Sequence, residues 1–170
     1  MTRTQMLSLF AAAMLSACAA APPSPAPPAP ASASVPAFDG LASLPAQNLR
    51  AGECGLFLWT VSAPRALVLF TKAGSNTADA SLPGGAQTLT LARQSGDLFA
   101  QFMTRLDYAA PDGGKVHVAL EPGERIEGGQ RTRAAQVTIV TPDGWETLVP
   151  AAGLAACLPG TTRPDLQKTQ

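Results

Sequence analysis

Short apolar and β-branched runs recur along the chain and are separated by glycine, proline, serine and asparagine. At residues 115–121 apolar side chains alternate with polar or small ones, which is the period of two that a half-buried strand requires. Runs of this kind predict strands at residues 55–60, 66–72, 79–82, 87–93, 98–108, 115–121, 136–141 and 145–149.

Two turn signals predict hairpins between neighbouring runs. Pro111-Asp112-Gly113-Gly114 separates residues 98–108 from 115–121, and Pro142-Asp143-Gly144 separates the last two runs. Proline presets the first turn dihedral, and glycine accepts a positive φ. Each pair of runs is therefore expected to form an antiparallel ladder.

Eight or nine short strands predict an all-β domain over residues 37–160, built as a small antiparallel barrel or sandwich. For two segments the sequence pattern is also compatible with a helix. At residues 98–108 the apolar side chains also recur at helical spacing, and Asp97 could cap a helix, but strand is favoured because the segment leads through a turn into a strand of similar length. Residues 41–50 could add one or two helical turns.

The N-terminus reads as an export signal. Arg3 precedes an apolar run at residues 6–14 that is too short to cross a bilayer as a stable anchor. The run closes on Leu15-Ser16-Ala17-Cys18, which resembles the lipobox of bacterial lipoproteins. The alternative is an ordinary cleavable signal cut after an A-x-A-like site at residues 11–13 or 19–21.

The resemblance implies that residues 1–17 are removed and that Cys18 carries the lipid, with diacylation of its thiol and acylation of the new amine. An aspartate after the cysteine would retain such a protein at the inner membrane of Gram-negative bacteria, and this chain has Ala19 there. The resemblance therefore implies an outer-membrane anchor, with the domain facing the periplasm.

A stalk is expected between the lipid and the domain. Residues 18–36 are mostly alanine, proline and serine without charge, so they cannot bury enough apolar surface to offset their ordering entropy. Such a segment either gives the domain reach toward the cell wall or is a spacer of no required length. Residues 161–170 are expected to form a flexible tail.

The other two cysteines bracket the strand-rich region. In an exported protein, Cys54 and Cys157 are expected to form a disulfide that ties the first strand to the last. The competing reading, a metal site or catalytic thiol, needs further ligands, and the chain has one histidine, His117.

The charge distribution does not predict a nucleic-acid partner. The 12 basic and 12 acidic residues cancel, and the basic residues are not clustered into a block. The charges concentrate at residues 124–133, where Gly128-Gly129 predicts a two-residue turn that places Glu124 opposite Arg133. Such a hairpin could contact a partner or be an exposed edge kept unpaired by its charges. The candidate contacts are Arg125, Arg131 and Arg133.

Enzyme signals are sparse. The chain has no phosphate-binding loop, zinc-ligand spacing or dinucleotide fingerprint, so no catalytic residue, metal or cofactor is assigned. Trp59 and Trp145 lie in apolar runs and are expected in the core.

Two function classes follow. The favoured one is a non-enzymatic binding or envelope-maintenance module that binds an envelope protein, glycan or lipid. The layout is similar to that of small periplasmic lipoproteins that inhibit lysozyme, whose sequence motif this chain lacks. The alternative is a hydrolase of cell-wall glycan or peptide in which His117 meets a carboxylate such as Asp107 or Glu121.

Overall fold

The computed structural model describes residues 41–160, which form eight β-strands and no helix. The strands are β1 (Cys54–Thr60), β2 (Leu67–Lys72), β3 (Thr77–Leu82), β4 (Gly85–Phe99), β5 (Phe102–Ala109), β6 (Lys115–Ile126), β7 (Gly129–Val140) and β8 (Glu146–Cys157). The predicted signal peptide, the lipidated Cys18, the stalk and the tail at residues 161–170 lie outside the described residues.

The sheet closes into an antiparallel barrel. Each strand pairs with the next one along the chain, and β8 returns to pair with β1. This confirms the predicted all-β antiparallel fold and decides for a barrel over a sandwich. The hairpin predicted at residues 124–133 is confirmed as the end of the longer hairpin that β6 and β7 form.

Inward and outward side chains alternate as the sequence pattern predicts. On β5, Thr104, Leu106 and Tyr108 are buried, and on β6 the buried Val116 and Val118 alternate with exposed side chains. The inward side chains of the strands meet in one apolar core inside the barrel. In a barrel of eight strands the interior is just wide enough for side chains to fill it.

A disulfide joins β1 to β8. Cys54 and Cys157 lie opposite each other on these two strands, and their sulfur atoms are 2.03 Å apart, as predicted. Backbone bonds continue the pairing beyond it: Gly52 N–H donates to the Leu158 carbonyl at 2.8 Å, and Leu158 N–H donates to the Glu53 carbonyl at 2.9 Å. The first and last strands are thus held together at one end of the barrel.

A second apolar cluster lies on the outer face of β1 and β2. Phe57 and Trp59 stack there with ring centroids 5.8 Å apart. Residues 41–50 cover them, and Leu44 N–H donates to the Leu67 carbonyl at 2.8 Å. The helical turns considered for residues 41–50 are absent, since this segment lies against β2 instead.

The two tryptophans differ in position. Trp59 packs in the outer cluster, but the expectation of a core position for Trp145 is wrong, because this residue is 75% exposed and precedes β8. It belongs to the predicted turn: Trp145 N–H donates to Thr141 Oγ1 at 3.1 Å, and Thr141 N–H donates to the Trp145 carbonyl at 2.9 Å. The strand that Trp145 was expected to begin, β8, starts at the next residue, Glu146.

The segment at residues 98–108 holds a tight turn. It is strand rather than helix, but it is not one continuous strand, because β4 ends at Phe99 and β5 begins at Phe102. The two phenylalanines pair across Ala100, whose φ is 52°, and both are buried. The helical spacing of apolar residues arises because the chain reverses between them.

The predicted turn between β6 and β7 is displaced by one residue. Its central residues are Glu127 and Gly128, and Ile126 pairs with Gly129, so Glu124 does not lie opposite Arg133. Gly128 takes the positive φ of 74° that the turn requires. Position 129, at the start of β7, requires glycine because a Cβ there would collide with the backbone of β8 at Ala155.

Candidate binding surface

β5 and β6 pair over only part of their length. Their ladder covers five residue pairs and ends where Arg105 lies opposite Ala119. Beyond that point Phe102 and Met103 of β5 stay paired with β4, and residues 120–126 of β6 belong to the β6–β7 hairpin. Neither segment has a partner strand in the gap between them, which we call the seam.

Irregular pairing on both sides accounts for the seam. The β4–β5 register shifts between Ser95 and Leu98, and the β6–β7 register shifts from Glu121 to Arg125. Such bulges bend and twist a strand, and Pro122 has no N–H with which to continue a ladder. The two hairpins therefore diverge as they leave the barrel.

The β4–β5 turn crosses the end of the barrel. Gln101 Nε2 donates to Cys54 Sγ at 2.9 Å, although β5 lies four strands from β1 in the barrel order. Phe99 and Phe102, on either side of the turn, are buried in the main core. The turn thus caps the barrel and leaves the β6–β7 hairpin on the other side of the seam.

A cleft of about 700 Å³ occupies the seam; we call it the seam cleft. Its volume falls within the range of roughly 300–1,000 Å³ that is usual for ligand pockets. Four neighbouring strands each contribute one charged residue to its lining: Asp97, Arg105, Glu121 and Arg133. None of the four forms an ion pair within residues 41–160.

A second groove, of about 330 Å³, lies between the turns of the two hairpins; we call it the tip groove. Leu98, which is 74% exposed, lies on one side of it, and Arg125 lies on the other. Its lining also includes Ala100, Gln101, Gly129, Gln130 and Cys157. The tip groove and the seam cleft both lie between the β4–β5 and β6–β7 hairpins.

The structure brings two of the three candidate contact residues to the seam. Arg133 lines the seam cleft and Arg125 lines the tip groove. Arg131 lines neither of them and pairs with Leu154 of β8. Sequence reasoning missed Arg105, because its place at the cleft depends on where β5 and β6 stop pairing.

The single histidine is bonded to one of the two carboxylates considered for it. His117 Nδ1 lies 2.8 Å from Asp107 Oδ1, and the two residues face each other on β6 and β5. Their side chains are 46% and 37% exposed, and neither residue lines the seam cleft or the tip groove. Glu121 lines the seam cleft instead. The dyad can hold a proton between its partners, but it lies on the open outer face of the barrel.

A smaller pocket of about 260 Å³ opens into the barrel beneath the β4–β5 turn; we call it the mouth pocket. Tyr108 and Thr71 lie at its inner end and are buried. Burial raises the pKa of Tyr108 to about 12, and a hydrogen bond with Thr71 opposes this shift. At the rim of this pocket, Lys72 Nζ lies 2.7 Å from Glu53 Oε2, and this hydrogen bond lowers the pKa of Glu53.

Residues 41–160 bring no three histidine, cysteine, aspartate or glutamate side chains together as metal ligands. Within the same range there is also no helix of the length and hydropathy needed to span a membrane.

Comparison of the chain with protein-family models, with curated proteins and with solved structures finds no match in any of the three.

Proposed function

We propose that this protein is a non-enzymatic binding module of the bacterial cell envelope, anchored to the outer membrane by lipid on Cys18 and facing the periplasm. The seam cleft is its contact surface. The observation that supports this most is the set of four charged side chains that meet there without ion-pair partners among residues 41–160. Charges in a cleft at a break in the sheet, without ion-pair partners in the part of the chain that the structure describes, are suited to recognition.

Site-specific crosslinking tests the contact surface. A photoreactive residue at Ala119, which is exposed and lines the seam cleft, should give a discrete adduct in intact cells. The same residue at Ala86, exposed on β4 beside β3, should give none. Equal adducts at the two positions, or none at Ala119, would overturn the assignment.

Arg131 supplies a matched control for the cleft charge. Arg133→Glu should abolish the Ala119 adduct, whereas Arg131→Glu makes the same charge change two residues away on β7, outside the cleft, and should preserve it. Loss of the adduct with both variants would attribute the effect to net charge and contradict the proposed site.

The anchor has its own test. Cys18→Ala should release the protein from membranes or leave it unprocessed, since acyl chains provide the proposed membrane affinity. Membrane partition and acyl labelling would measure this. Unchanged partition together with retained acyl label would exclude lipidation at Cys18.

A second candidate function is hydrolysis of cell-wall glycan or peptide. The observation that favours it is the 2.8 Å contact between His117 and Asp107, an arrangement that orients an imidazole as a general base. The exposure of both side chains argues against it, because the site would not exclude water from the reacting groups.

A further inference from the structure

We propose a specific occupant for the seam: an extended segment of a partner polypeptide, bearing acidic side chains, that adds as a β-strand to the free edge of β6. This proposal rests on the contact surface proposed above. The inference depends on the unpartnered backbone of the seam and on the arginines beside it.

The seam exposes strand edges in an otherwise closed barrel. Residues 120–126 of β6 have no partner on the β5 side, and this stretch is about 23 Å long at roughly 3.3 Å per residue. The N–H and C=O groups of such an edge are a template for another strand. The seam cleft of about 700 Å³ borders residues 120–122 of this edge, and the tip groove borders it at Arg125.

The lining fits a polypeptide better than a sugar or a lipid. Neither tryptophan contributes to the seam cleft or the tip groove, so these pockets lack the indole platform on which a sugar ring stacks. Exposed apolar surface is limited as well, with Leu98 the one large exposed hydrophobic residue in the lining of the two pockets. Backbone pairing requires neither feature.

The charges select the partner's side chains. Arg105 and Arg133 line the seam cleft together with Asp97 and Glu121, and Arg125 lines the tip groove without an acidic residue beside it in that lining. Glu124 and Glu127 of the β6–β7 hairpin are exposed and line neither pocket. Alternate side chains of an added strand point to the same face, so acidic residues at every second position would meet these arginines.

Pro122 sets a limit on the pairing. It removes one donor from the edge of β6, which also protects the free protein from pairing with its own copies. The added strand is therefore expected to pair mainly with residues 123–126, none of which is proline, through the groups that point away from β7. The Gly123 carbonyl is not one of these groups, because it accepts a hydrogen bond from Gln130 Nε2 at 3.1 Å.

Defined peptides test the proposal on the full-length protein. The probe is a seven-residue peptide of alternating glutamate and valine with both ends blocked. One control replaces glutamate by lysine, and the other carries N-methyl groups on alternate amides, which removes backbone donors while retaining the charges. Binding is measured by fluorescence anisotropy, and hydrogen exchange reports on residues 120–126.

The glutamate peptide should bind and slow exchange at residues 123–126, the lysine peptide should bind at least about tenfold more weakly, and the N-methylated peptide should not protect β6. Arg133→Glu should weaken binding about tenfold, and Arg131→Glu should change it less than about twofold. Binding without protection of β6, equal binding of the N-methylated peptide, or no binding would overturn strand addition.

The failure of this inference can be distinguished from failure of the binding module itself. An adduct at Ala119 in cells that depends on Arg133, combined with no effect of the peptides on β6, would reject strand addition and keep the contact surface. Absence of both the adduct and peptide binding would reject the two together.

Discussion

The Nε2 atom of Gln101 donates a hydrogen bond to Sγ of Cys54 across the end of the barrel, at 2.9 Å. This contact links the β4–β5 turn to the disulfide that joins the first and last strands. The turn that borders the seam is therefore fixed to the most strongly constrained part of the fold.

Removing this contact should loosen the cap with little effect on the barrel. Gln101→Ala is expected to speed hydrogen exchange at residues 98–104 while lowering the free energy of unfolding by no more than about 1 kcal/mol, since the main loss is one partly buried N–H···S hydrogen bond. Gln94→Ala is the control, because Gln94 also lines the mouth pocket but does not contact the disulfide. Faster exchange with both variants would contradict the proposed role of Gln101.

Loss of the disulfide should destabilise the barrel strongly. The bond closes a loop with a sequence separation of 103, for which the chain-entropy model gives about 4 to 5 kcal/mol. The double variant Cys54→Ala, Cys157→Ala should show this difference in denaturant unfolding under oxidising conditions. The wild-type protein should match the variant once reduced. Recovery of both cysteines as free thiols from freshly isolated protein would refute the bond.

Stability should fall in strong alkali because of Tyr108. Burial raises the pKa of this phenol to about 12 from 10.0, so the folded protein retains a proton that the unfolded chain releases. The contribution is fully present below pH 10 and is lost as the pH rises through about 12, by an amount on the order of 2 to 3 kcal/mol. In Tyr108→Phe, the free energy of unfolding should depend less steeply on pH between about pH 10 and 12. An unchanged slope would contradict the assignment.

Function should survive loss of the histidine. His117→Ala removes an exposed pair on the outer face, so the free energy of unfolding should change by about 0 to 1 kcal/mol. The Ala119 adduct should persist, and Asp107→Asn should behave in the same way. If His117→Ala abolished a measurable hydrolytic activity while thermal unfolding stayed unchanged, the hydrolase would replace the binding module.

The parts of the fold that the sequence predicted correctly depend on the pattern of residues close together in the chain. The alternation at residues 115–121 and the turn at Pro142-Asp143-Gly144 each depend on neighbouring residues, and both are confirmed. The pairing of Cys54 with Cys157 was also predictable, because two cysteines at the ends of one domain, in a chain expected to be exported, offer few alternatives.

The remainder depends on contacts distant in sequence. Gly128-Gly129 is a plausible turn by itself, and only the approach of Ala155 on β8 shows that Gly129 must lie in the strand. The seam depends on where β5 and β6 stop pairing, which no local periodicity records. Arg105 and Asp97 could not be identified as site residues for that reason.

The position of the disulfide also determines how the barrel bears mechanical load. A pull on the chain that precedes β1 first meets the contacts of residues 41–52 and then reaches Cys54, where the covalent bond transmits it to β8 at Cys157. β1 therefore cannot peel away from β8 one hydrogen bond at a time while the bond is intact. A partner that pulled on β6 would strain the opposite side of the barrel, where strands are held by hydrogen bonds and packing alone, so the seam side should yield to force before the disulfide-linked side does.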